Sequence, residues 1–314
     1  MEKILVLESF TPEQKEKLER ENPDFAFVYR TKGDPIENLD EYTAIIGTVP
    51  EKVKPELKNL KKLKLLQLSS AGFEGWPQLV DCSLCNASGT FGLTISEYLI
   101  ASILLLYRKI PQVLEDQKKH LWKRDLGTFD SIYGSNILVL GVGDLGGTFA
   151  RKASALGADV IGLARSAREV DGFKKVDELS KLDEYLPWAD IVVCALPSNE
   201  QTIHLFNKER FGLMKNKALF VNVGRGSLVE TSVLEEVAKE KMIGGMILDV
   251  FEKEPLDADS SLWDAENVIV TPHISGDYSL PKSKDLFLDI VLKNLKALKE
   301  HKPFINLVNG IQNQ

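Results

Sequence analysis

Residues 136–147 read Asn136-Ile137-Leu138-Val139-Leu140-Gly141-Val142-Gly143-Asp144-Leu145-Gly146-Gly147, an apolar strand running straight into a G-x-G-x-x-G loop. Gly141 permits the tight turn out of the strand, Gly143 lets the backbone approach a pyrophosphate, and Gly146 lets the next helix close on the strand. The helix runs through Ala155, and a second strand, Asp159 to Leu163, completes a βαβ unit. Glycines alone also make ordinary turns. With a strand before, a helix after and another strand beyond, this run predicts a dinucleotide whose phosphates sit on the helix N-terminus. Gly141, Gly143, Asp144, Leu145 and Gly146 are accordingly assigned to cofactor binding.

The end of the second strand says which dinucleotide. An NAD site places Asp or Glu about 20 residues past the glycines, on the ribose hydroxyls. Here the strand ends in Ala164-Arg165-Ser166-Ala167-Arg168. A carboxylate would repel a 2′-phosphate, whereas a guanidinium holds it with paired charge-assisted bonds and a Ser hydroxyl adds a third. Arg165 and Arg168 have an ordinary alternative as solvated loop residues, but the missing acid decides for NADP(H) as preferred cofactor, with NAD(H) still admissible.

Length and charge narrow the class. At 314 residues the chain suggests about two domains of common size. A net charge of −7 without a dense basic stripe argues against nucleic acid. The lysines from Lys52 to Lys64 read as the solvated face of a helix and its following turn. The longest apolar stretch, Tyr98 to Tyr107, is too short to span a bilayer and reads as a buried helix. The N-terminus enters a strand directly, with no signal-peptide core, so a cytoplasmic location is expected. Cys82 and Cys85 form a C-x-x-C, but no second pair or nearby His completes a metal site, and none is expected. Cys194 reads as a small core residue.

Strands and helices alternate along the chain. Ile4 to Glu8, Phe25 to Tyr29, Ala44 to Gly47, Leu63 to Leu68 and Leu84 to Ala87 read as strands separated by charged amphipathic helices. A second series follows at Ile137 to Leu140, Asp159 to Leu163, Ile191 to Ala195, Leu219 to Val223, Gly245 to Leu248 and Val268 to Val270. Most are apolar on both faces, as parallel strands covered by helices are. The expected class is α/β: two Rossmann-like, doubly wound parallel-sheet domains with a cleft between them for the substrate. The final amphipathic helix, Lys282 to Glu300, is expected to return to the first domain. The expected boundaries are residues 1–96 plus 284–314 for a discontinuous substrate-binding domain and 97–283 for the dinucleotide domain.

Ligands in open α/β sheets bind beyond the carboxyl ends of the strands. Three ionisable residues fall there: Arg225 in VNVGRGSL, Glu254 in LDVFEKEPL and His273 in VIVTPHISG. Arg225 between two glycines suits a carboxylate, which wants a planar bidentate donor, although it would equally serve as a loop ion pair. Glu254 before Pro255 alone reads as a surface turn residue, and His273 would also fit a satisfied loop histidine. Of the four histidines the other three are bland: His120 and His301 lie in lysine-rich helix ends, and His204 in QTIHLFN reads as local structure.

These motifs together carry a resemblance. Through GVGDLGG, ALPSNEQT, NVGRGSLVE, LDVFEKEPL, NVIVTPHISG and the helix with Glu97, the chain resembles the D-isomer-specific 2-hydroxyacid dehydrogenases over nearly its whole length. The Ala164-Arg165 departure is similar to the NADP-preferring glyoxylate/hydroxypyruvate reductase branch. The resemblance implies that Arg225, Glu254 and His273 are the catalytic trio, and that Asp249 meets the nicotinamide carboxamide. It further implies that Pro197 and Val223 line the cofactor, and that Ser70, Ala71, Gly72 and Arg225 bind the substrate carboxylate. In that scheme His273 donates a proton to the carbonyl oxygen as hydride arrives, while Glu254 pairs with its other nitrogen. A small 2-oxo or 2-hydroxy acid substrate and a homodimer, to which residues 100–129 are long enough to contribute, are likewise implied. Rival readings are NAD-dependent oxidation of a D-2-hydroxy acid and a nucleotide-sensing corepressor-like protein; the intact trio favours turnover. Phe73, Trp76 and Trp122 lie where a substrate side chain would be chosen, but are read first as packing residues.

Overall fold

The computed structural model describes residues 1–31 and 33–311. The chain forms two compact units, Met1–Phe91 together with Tyr278 onward, and Gly92–Asp277. The first stretch supplies β1 (Glu2–Leu7), α1 (Pro12–Glu21), β2 (Phe25–Tyr29), β3 (Tyr42–Gly47), β4 (Leu65–Gln67) and β5 (Ser83–Cys85). The contiguous unit opens with α2 (Gly92–Tyr107), α3 (Ile110–Lys118), β6 (Asn136–Leu140), α4 (Asp144–Ala155), β7 (Asp159–Ala164) and β8 (Lys175–Glu178). It continues with α5 (Leu182–Tyr185), β9 (Ile191–Cys194), α6 (Lys208–Leu213), β10 (Leu219–Asn222), α7 (Thr231–Glu240), β11 (Gly245–Leu248) and β12 (Val268–Val270). Helix α8 (Pro281–Glu300) then belongs to the first unit.

In the first unit five parallel strands run in the order β2-β1-β3-β4-β5. Helix α1 starts sharply because Thr11 and Gln14 form a reciprocal capping box and Pro12 occupies the first turn, where its missing N–H costs nothing. Leu5, Ile45, Leu66 and Leu84 fill one core, with Val53 and Leu57 folded over it. Truncating a fully buried leucine such as Leu66 to Ala costs about 2–5 kcal/mol. Helix α8 packs on α1, with Phe10 stacked on Phe287 at 6.1 Å. Beneath it the buried Asn294 donates to Gln67 Oε1 at 2.7 Å and accepts the Ile305 N–H at 2.9 Å.

Charged helices do not separate all of these strands. Between β3 and β4 the segment Glu51–Asn59 is a run of 3-10 turns with Pro55 inside it, and β4 reaches β5 through a single turn at Pro77–Leu79. Pro55 removes a backbone donor that an α-helix at Lys52 to Lys64 would need.

The second unit holds seven parallel strands in the order β12-β11-β10-β9-β6-β7-β8. The order reverses beside β6, the position at which doubly wound sheets bind ligands. Gly141 there has φ +97°, and a Cβ on Gly146 would lie 1.9 Å from the Gly141 carbonyl oxygen, so α4 closes on β6 only through glycine. Strand β8 carries no strand signal in its sequence: Lys-Val-Asp-Glu has one apolar residue, and its charges suit a sheet edge. Its buried Asp177 is held by Lys175 at 2.8 Å, with Lys181 and the Tyr185 hydroxyl close by. Phe206, Phe211 and Phe220 pack mutually at 4.8–5.5 Å in the core. Among the described residues, no helix is long and apolar enough to cross a membrane, and no group of His, Cys, Asp or Glu is arranged to hold a metal.

Candidate active site

Arg225, Glu254 and His273 follow β10, β11 and β12, which are neighbours in the sheet and parallel, so three adjacent strands deliver the trio from one sheet edge. Nδ1 of His273 lies 2.9 Å from Oε2 of Glu254, and Oε1 of the same carboxylate accepts the Phe251 N–H at 3.1 Å. The His273 side chain is 54% exposed, with Nδ1 tied to Glu254.

His273 sits at φ 54°, the left-handed region that is uncommon for a residue with a Cβ. Asp249 holds the loop on both sides of His273. Only 1% exposed, it accepts from Thr271 Oγ1 at 2.6 Å and the Ile274 N–H at 2.9 Å through Oδ1, and from the Ser275 N–H at 3.0 Å through Oδ2. Since Thr271 spends its one proton on Asp249, the Tyr98 hydroxyl 2.7 Å away is the donor to Thr271. Burial pushes the Tyr98 phenol up, which keeps that proton in place. Asp249 therefore spends most of its acceptor capacity on the histidine loop, leaving one lone-pair site on Oδ2. Thr271 and Tyr98 were missed in the sequence, where a Thr before Pro272 and a Tyr in an apolar helix carry no distinguishing signal.

The Arg225 loop is shaped by Asn222, buried at the end of β10. Its amide donates to the Arg225 carbonyl at 3.0 Å and its Oδ1 accepts the Gly224 N–H at 3.2 Å. Arg225 Nη1 donates to the Gly224 carbonyl at 2.9 Å.

The other cofactor candidates follow β6, β7, β9 and β10 of the same unit. Gly143 is the N-cap of α4, with no side chain closing the helix end and nothing within 4 Å of where its Cβ would stand. This open cradle at the N-terminus of a 12-residue helix fits a pyrophosphate. Asp144 is exposed, and its Oδ2 accepts the Gly92 N–H at 3.0 Å, which anchors the start of α2. Arg165 and Ser166 are exposed just past β7. Pro197 is exposed after β9, its carbonyl accepting from Thr202 at 2.7 Å, while Val223 is buried beyond β10.

Ser70, Ala71 and Gly72 belong to the other unit, just beyond β4. The Ser70 carbonyl accepts from the Ala87 N–H at 2.9 Å, and the Ala71 carbonyl from the Asn86 side chain at 2.7 Å. A trans peptide points its N–H opposite its C=O, so with both carbonyls held inward the Ala71 and Gly72 N–H groups face away from that anchor. Asn86 escaped notice because its partner is 15 residues away. Phe73 and Trp76 pack against the first core, as read from the sequence, but Trp122 is 92% exposed and is not a packing residue among the described residues.

Comparison with known proteins identifies the family. Residues 100–275 match the family model described as D-isomer specific 2-hydroxyacid dehydrogenase, NAD binding domain. A family protein of known structure from Aeromonas salmonicida is 32% identical, with a TM-score of 0.87 over 98% of both chains. The NADPH-dependent glyoxylate/hydroxypyruvate reductase of Sinorhizobium meliloti, solved with NADP and sulfate, is 27% identical, with a TM-score of 0.81 over 100% of both chains. The glyoxylate reductase of Pyrococcus horikoshii is 29% identical over 292 residues, 87% of this chain and 85% of that protein. The chain belongs to the D-isomer specific 2-hydroxyacid dehydrogenase family. It is an NAD(P)-dependent oxidoreductase acting on a CH–OH group and its carbonyl counterpart.

Proposed function

We propose that the protein reduces a small 2-oxo acid to the D-2-hydroxy acid with NADPH, and that His273 is the proton donor. The observation that carries this reading is the 2.9 Å His273–Glu254 pair on a loop clamped by the buried Asp249. Bound NADPH supplies the hydride. The chain's own groups do the rest. Arg225 takes the substrate carboxylate and polarises the 2-oxo group, and the Ala71 and Gly72 N–H groups bind the same carboxylate. Glu254 accepts the Nδ1 proton of His273, which fixes the ring and keeps Nε2 as the donor toward the carbonyl oxygen. The remaining lone-pair site on Asp249 is the one available to a nicotinamide carboxamide.

NADPH is favoured because Arg165 and Ser166 stand where an NAD site would hold a carboxylate, and a relative of similar fold is NADPH-dependent. We assign the covering of α2 and α3 to a second copy of the chain, making a homodimer. A hollow of about 560 Å³ there is lined by Leu104, Arg108, Ile110, Val113 and Phe129.

Initial rates of NADPH and NADH oxidation against glyoxylate, hydroxypyruvate, pyruvate and bulkier 2-oxo acids test the proposal. The expected result is turnover of a small acid with NADPH well above NADH. Faster turnover with NADH overturns the phosphate assignment, and the absence of turnover with every acid overturns the reductase reading.

A further inference from the structure

We propose that His204 is a positioning residue that clasps the Arg225 loop to the Glu254 loop, a role resting on the reading of those two loops given above. His204 lies between β9 and α6 and has φ 50°, in the left-handed region. Its N–H donates to the Ser227 carbonyl at 2.8 Å, and two residues on the Phe206 N–H donates to Leu228 at 3.0 Å. Residues 204–206 thus lie against the chain that leaves Arg225, with Phe206 and Val229 paired as a parallel bridge.

The imidazole closes the other side. Nε2 is 2.8 Å from Oε1 of Glu252, in the Glu254 loop, and Nδ1 is 3.4 Å from Oε1 of Glu230, at the end of the Arg225 loop. Between these contacts the two loops are already pressed together. A Cβ on Gly226 would lie 1.9 Å from the Phe251 carbonyl carbon and 2.6 Å from the Glu252 nitrogen, so the backbones meet without a spacer. The next link is the Phe251 N–H on Glu254, at 3.1 Å, and from Glu254 to His273. One imidazole therefore bridges carboxylates on both loops, and each loop carries one member of the trio. The three side chains are all about half exposed, a setting in which ion pairs add little to stability. Their effect falls on the register of the two loops, where small misplacements are costly to catalysis.

The test uses the full-length protein with the best 2-oxo acid of the rate series and the variants His204→Ala, Glu252→Ala, their double, His204→Gln and His273→Ala. We expect His204→Ala and Glu252→Ala each to lower kcat/KM on the order of 10-fold. NADPH affinity and the thermal midpoint hold, the double loses no more than the worse single, and His204→Gln recovers part of the loss through the one carboxylate it reaches. Unchanged kcat/KM in His204→Ala, losses that multiply in the double, or a loss matched by weaker NADPH binding or a lower midpoint overturns the proposal. His273→Ala separates the two readings. If it turns over at the parent rate, the assignment of the trio fails; if it is inactive while His204→Ala is unimpaired, the clasp alone fails.

Discussion

Glu254 divides its two oxygens between the backbone N–H of Phe251, at 3.1 Å, and Nδ1 of His273, at 2.9 Å. Both partners are donors, so the position requires two acceptors. Glutamine matches the shape but offers one acceptor and one donor, leaving either the loop or the ring with a mismatched contact. Glu254→Gln is expected to lower kcat by about 10²–10⁴-fold while NADPH still binds, as loss of oriented acid–base catalysis does. Steady-state rates with a fluorescence titration of NADPH check this. A kcat equal to the parent's removes Glu254 from the mechanism.

Asp249 presents the same problem with three donors. In Asp249→Asn the amide nitrogen must face Thr271, Ile274 or Ser275, each of which is a donor in the parent. One mismatched buried contact costs about 1–3 kcal/mol. The denaturation midpoint should fall and kcat with it, because the clamped loop carries His273. A stable variant with full turnover would show that the loop holds its shape without the carboxylate.

Arg165→Ala is expected to raise KM for NADPH and leave that for NADH nearly unchanged. A hydrogen bond to a charged group contributes about 1.5–3 kcal/mol, and each 1.4 kcal/mol is roughly tenfold in affinity. Parallel KM measurements with the two cofactors decide; an equal change in both places Arg165 outside the phosphate site.

Cys82, Cys85 and Cys194 are all buried, and burial pushes the Cys82 and Cys85 thiols up to about 12. The thiolate is the reactive form, so a disulfide reagent at pH near 8 should label none of the three in the folded protein and all three after denaturation. Rapid labelling of a native thiol would contradict the packing around β5 or β9.

What was legible in the sequence was local in chain distance. The strand, loop and helix from Asn136 to Ala155 are contiguous and carry their glycines in place, and the strand-end positions of Arg225, Glu254 and His273 follow from short apolar runs. Strand β8 was illegible because its pairing with β7, and not its own composition, makes it a strand. His204 looked bland because Glu252 lies 48 residues away, and the Asn86 anchor of Ala71 lies 15 away. The chemistry of Trp122 suits packing, but a side chain's chemistry does not say whether a neighbour is there to receive it, and Trp122 is 92% exposed.

The first unit is assembled from the two ends of the chain. Phe287 stacks on Phe10, Asn294 bonds to Gln67 in the core, and Leu307 bridges to Cys85. A ribosome delivers β1–β5 before residues 92–277 and α8 after them, so the contiguous unit is complete in sequence while the earlier strands still lack that helix. During that interval the apolar face of β1–β5 lacks the helix that covers it in the finished unit, whereas the contiguous unit already has every strand of its sheet.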